Sequence, residues 1–136
     1  MTEIILSNNS FDDYLSRNIN NIEVSLKETR AYIYSIFRGF MYADGDLSKQ
    51  SVTLVYADAR ESQDFAKFQG LADWIFLVRT SFPQSLRASE DYYDTIARCS
   101  YYRCYVILDR KWPCFEEMAD RLPSLVEKLQ AANIMV

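Results

Sequence analysis

Most long segments of the chain repeat their apolar residues at intervals of three and four, the spacing of helices with one buried face. One stretch departs from this amphipathic pattern. From Leu71 to Val78 only Asp73 is polar, and apolar residues fall on every side of the helical wheel. Such a helix belongs at the centre of a small protein, with neighbours on several faces. Phe65–Phe82 is therefore the predicted centre, ended by Phe82-Pro83 because a proline discourages helix in the residue before it.

The flanking elements are ordinary amphipathic helices. Ser10 followed by Phe-Asp-Asp reads as an N-cap with acids in the first turn, and Phe11, Leu15, Ile19 and Ile22 follow at helical spacing. Asn18–Asn21 is a weak point in that helix. Over Glu23–Met41, Leu26, Ile33, Ile36, Phe37 and Phe40 line one face, and Tyr42-Ala-Asp-Gly-Asp46 is a turn. Val52, Val55, Tyr56 and Ala59 form a helical stripe, so Ser51–Arg60 reads as a helix. Its β-branched residues leave a strand at Ser51–Tyr56 as the alternative. After a cap at Ser89, the residues Tyr93, Ala97, Ser100, Cys104 and Ile107 form a stripe with a small-residue centre. Cys104–Leu108 taken alone also fits a buried strand. Pro113 suits the first turn of a last amphipathic helix, bent or divided at Pro123. Residues 1–9 read as a loose arm and 10–136 as a single helical domain.

Composition changes this picture little. Hydrophobic residues make up 49% and charged ones 25% of 136 residues, while the aromatic share of 15% is high. Fifteen Lys and Arg against nineteen Asp and Glu give a net charge of -4, with no general pull toward nucleic acid or anionic membranes. The start lacks the basic and apolar regions of a signal peptide, and no apolar run approaches the roughly 20 residues a membrane helix needs. Three cysteines in no framework pattern point to a reducing cytoplasm. The chain contains no histidine, which removes His-based triads, imidazole bases, His-containing zinc sites and proximal-His haem.

The segments Phe68-Gln-Gly-Leu-Ala-Asp-Trp-Ile-Phe-Leu, Ser81-Phe-Pro, Asp91-Tyr-Tyr and Ser100-Tyr101 occur in an order that resembles a group of short helical bacterial proteins. That group carries a Leu-Gly-Asp-x-x-Leu-Phe segment, a Phe-Phe or Phe-Pro stop and a Tyr-Tyr-x-x-x-Gly-x-x-Ala-Tyr segment. The likeness covers roughly Glu28–Leu129. Here Ala72 and Ala97 stand where the pattern has glycines, and both keep the site small. The resemblance implies a helical domain and brings no activity with it.

Few residues offer chemistry. Asp73 is expected to be a buried polar residue clamped to Arg79, Arg98, Arg103 or a tyrosine hydroxyl, because an unpaired buried carboxylate is expensive. Cys99, Cys104 and Cys114 are read as buried small hydrophobes. The acids form no catalytic pair, and with only three glycines there is no phosphate-binding loop. Tyrosine and arginine are enriched at interface hot spots, so Tyr101, Tyr102, Arg103 and Tyr105, with Trp112, are the expected contact residues. The expectation is an all-α bundle of five to six helices that acts without catalysis, cofactor or metal. It is a cytoplasmic interaction module, pairing with itself or with another bacterial protein and not with nucleic acid. The alternative is a helical sensor holding a small apolar or aromatic ligand in its tyrosine-rich core.

Overall fold

A computed structural model describes residues 17, 19, 24, 26–42, 51–86 and 88–132. Among these residues five helices are delimited: α1 (Lys27–Tyr42), α2 (Val52–Ser62), α3 (Phe65–Ser81), α4 (Glu90–Ile107) and α5 (Pro113–Ala131). The 3₁₀ turn Pro83–Ser85 lies between α3 and α4. No strand occurs among the described residues. Ser51–Tyr56 and Cys104–Leu108, each with a strand as its alternative, lie in α2 and at the end of α4. The arm at 1–9 and the turn after Tyr42 lie outside the described residues. So does the first predicted helix, apart from helical Arg17 and Ile19, the latter in the core.

Local chemistry explains where the helices begin and end. Ser51, Asp64 and Ser89 cap α2, α3 and α4 by accepting from the backbone N–H of Leu54, Ala66 and Tyr92. Pro113 opens α5 with its preset φ. At the end of α4, Asp109 takes a left-handed φ of 57°. Its N–H returns to Val106 O and that of Arg110 to Tyr105 O, which satisfies two terminal carbonyls.

Helix α3 packs against the other four, as its apolar girth requires. Leu71, Ala72, Ile75, Phe76, Leu77 and Val78 are buried, whereas Ala66, Lys67 and Gly70 of its first half face solvent. A Cβ added at Gly70 meets nothing within 4 Å. No close packing offsets the backbone entropy of this glycine, so Gly70→Ala should stabilise the domain by about 0.5–1 kcal/mol, read as a rise in urea midpoint.

Two polar clamps tie the bundle. Arg79 of α3 donates through Nε to Asp94 Oδ1 of α4 at 2.7 Å and through Nη2 to Oδ2 at 3.1 Å. Both residues are buried, and Nη1 reaches Glu90 at 3.3 Å near the surface. The hydrogen bonds and charge of Asp94 raise the Arg79 guanidinium above its ordinary range, against the effect of burial. At the other clamp, buried Glu117 of α5 accepts from Leu26 N–H at 3.2 Å, at the start of α1. It also accepts from Arg121 at 2.9 Å.

Candidate functional site

Asp73 lies where α1, α3 and α4 meet. Tyr32 and Tyr101 each donate a phenolic hydrogen to its Oδ1, at 2.6 and 2.7 Å, and Gln69 donates to the Tyr32 oxygen at 3.2 Å. Phe115 closes the cluster, its ring edge-on to Tyr32 at 5.1 Å. Burial, the largest influence, pushes the Asp73 carboxyl up to about 6, while the two phenolic donors pull it down. Burial and the neighbouring carboxylate together hold both phenols well above their usual range. Phenolic donors, and not arginines, thus clamp Asp73, because Arg79 is committed to Asp94. The aspartate is half-buried and not fully enclosed.

The tyrosine-rich end of α4 divides in two. Tyr101 is fully buried against Asp73, which corrects its expected place among the contact residues: a side chain with no accessible surface cannot touch a partner. Tyr102 and Trp112 are exposed, at 44% and 55%, and Arg103 and Tyr105 are half-buried. Tyr102 and Tyr105 lie against each other with centroids 6.0 Å apart. The cysteines divide as well. Cys104 and Cys114 are buried, and burial, then the Asp73 charge, pushes the Cys104 thiol up to about 12. Cys99 is exposed, contrary to its expected burial, because it lies on the opposite face of α4 from the small-residue stripe.

That opposite face is the floor of a groove of about 660 Å³ between α2, α4 and α5. Thr95, Arg98, Cys99, Tyr102 and Arg103 form its floor, Tyr56 and Arg60 one wall, and Ala119 and Asp120 the other. The Arg60 guanidinium sits 5.9 Å from the Tyr56 ring centroid. Burial, then the adjacent Cys99 thiol, raises the Tyr56 hydroxyl against the charges of Arg60 and Arg103. Arg98 donates through Nε to Ala119 O at 2.7 Å. Pro123, four residues further along α5, has no N–H to return to that carbonyl, so the arginine takes the place of the missing helix bond. This bond helps α5 continue undivided through Pro123, where the sequence predicts a bend or division.

Among the described residues, Arg60, Arg98 and Arg103 form no salt bridge. Sequence reasoning singled out Tyr102 and Arg103 of this groove, took Arg98 only as a partner for Asp73, and missed Tyr56, Arg60 and Asp120. The spacing of Thr95, Arg98, Cys99, Tyr102 and Arg103, at intervals of three and four, was the available signal. Tyr105 and Trp112 do not line the groove. Among the described residues no group of three His, Cys, Asp or Glu is placed to hold a metal, and no helix is long and apolar enough to cross a membrane. No family model, curated protein or solved structure matches the chain.

Proposed function

We propose that the chain is a non-enzymatic binding module that takes an anionic small molecule into the groove between α2, α4 and α5. One observation carries this reading: three guanidiniums without a carboxylate partner converge on one groove of a chain whose net charge is -4. Arginines scattered over an acidic surface find carboxylates readily, whereas these three line one shared space. The volume lies within the roughly 300–1,000 Å³ of small-molecule sites. This reading differs from a ligand held in the tyrosine-rich core, and takes the Tyr and Arg that line the open groove as the seat.

Sodium phosphate and sodium sulfate, titrated into the full chain at low ionic strength, test the reading. Specific binding raises Tm with anion concentration in the wild type, and Arg60→Ala/Arg103→Ala loses most of that rise. An equal rise in both proteins is general salt stabilisation and sinks the proposal.

A protein contact through exposed Tyr102 and Trp112 is the second reading, with a second copy or another bacterial protein as partner. It uses Tyr102 and Arg103 as the groove does, so a filled groove and a docked partner compete for the same side chains. Three free thiols fit a reducing cytoplasm for either reading.

A further inference from the structure

We infer that the groove seats a nucleoside monophosphate, with the phosphate on Arg98 and Arg103, the ribose hydroxyls on Asp120 and the base against Tyr56 and Tyr102. The inference deepens the anion-binding reading and rests on it.

Charge gives the first argument. The charged lining side chains are three arginines and one aspartate, a surplus of two positive charges. A phosphate monoester brings between about 1.5 and 2 negative charges at neutral pH, close to that surplus. Guanidinium also matches phosphate geometry, offering paired donors in a fixed fork. Arg98 is suited to the task because its Nε is tied to Ala119 O at 2.7 Å, which fixes the side chain. Its two terminal nitrogens have no partner among the described residues.

The position of Asp120 gives the second argument. It follows Ala119, whose carbonyl anchors Arg98, and its carboxylate and the Arg98 guanidinium both line the groove. They nevertheless form no salt bridge. Two opposite charges that line one space without pairing fit a ligand that offers an anion to one and hydroxyl donors to the other. A sugar phosphate does so, and carboxylate recognition of ribose hydroxyls is a recurrent device in nucleotide sites.

The tyrosines give the third. Tyr56 projects from α2 and Tyr102 from α4, so the groove has an aromatic side chain on its wall and another on its floor. A nucleobase stacks on such rings whatever its identity, because every base has a π-face. Arg60, already over the Tyr56 ring, adds a cation to that surface. Thr95 has no hydrogen to offer the phosphate, since its hydroxyl donates to Asp91 O at 2.8 Å.

Titration calorimetry on the full chain tests the seat with AMP, adenosine, ribose 5-phosphate and inorganic phosphate. AMP should bind about tenfold or more tightly than any of the other three, each of which lacks part of the ligand. Arg103→Ala and Asp120→Asn should each weaken AMP by a similar factor. Asp120→Asn should leave inorganic phosphate unchanged. A second readout needs no variant: Cys99 is the exposed thiol, so AMP should slow its alkylation by N-ethylmaleimide, followed by intact mass. Phosphate binding as tightly as AMP overturns the nucleotide and leaves the anion site standing. Adenosine binding as tightly as AMP, or unchanged AMP affinity in Asp120→Asn, also overturns the seat. If neither AMP nor phosphate binds, the anion-binding reading falls with it.

Discussion

Replacing Asp94 with Ala is expected to cost about 3–5 kcal/mol of stability, read from the urea midpoint of the full chain. The size follows from what is left behind. Arg79 is 7% exposed, and without Asp94 its guanidinium keeps, among the described residues, only the 3.3 Å contact with Glu90. Taking a charge out of water without a paired partner is among the largest penalties a folded chain bears. The pair itself is worth much less than its breakage suggests. Arg79→Met/Asp94→Leu, which fills the space with apolar atoms, should recover most of the loss. A single variant that unfolds within about 1 kcal/mol of wild type would show that water reaches the guanidinium.

The second large effect is a dependence on pH that belongs to Asp73. Its carboxyl is raised from 3.8 to about 6 by burial. A folded-state value above the unfolded one means that the native protein holds the proton more tightly. The stabilisation is therefore complete below about pH 4 and is lost as pH rises through about 6. Between pH 4.5 and 7.5 the loss from this one group is on the order of 2 kcal/mol. The groups around it are Tyr32 on α1, Gln69 on α3, and Tyr101 and Cys104 on α4. Both phenols and the thiol stay protonated throughout that range. Asp73→Asn keeps a carbonyl to accept from the tyrosines and has no proton to lose. It should gain about 2 kcal/mol on wild type across the same interval, measured by chemical denaturation at both pH values. Asp73→Ala, compared at pH 4.5, should cost about 1–3 kcal/mol, because it strands two phenolic donors, one of them fully buried. Parallel pH profiles for wild type and Asp73→Asn would place the carboxylate in solvent.

The helices were legible because their signals are local. A cap at Ser89, a stop at Phe82-Pro83 and a start at Pro113 each act within a few residues. The centrality of α3 was legible for a related reason, since a helix apolar on every side leaves few arrangements open. The roles of Tyr101 and Tyr102 were not. They are adjacent, about 100° apart on one helix, and only the packing of α4 against α3 and α5 decides which turns inward. The groove was hidden for a stronger reason. Tyr56 and Arg60 reach it from one side and Asp120 from the other, and no spacing rule relates residues so distant in sequence. The Arg79–Asp94 pair was missed in the same way. Each residue looked unremarkable in its own helix, and the sequence pointed Arg79 toward the wrong aspartate.

The proline in α5 carries a consequence for what selection can improve. As a helix position, 123 is badly filled, and almost any other residue would give α5 a better hydrogen-bond ladder. Such a residue would also supply an N–H that competes with Arg98 for Ala119 O, and the arginine would lose part of its anchor. Position 123 is then a place where folding and binding favour different amino acids. Selection for stability alone would discard the proline, and selection for the groove would keep it.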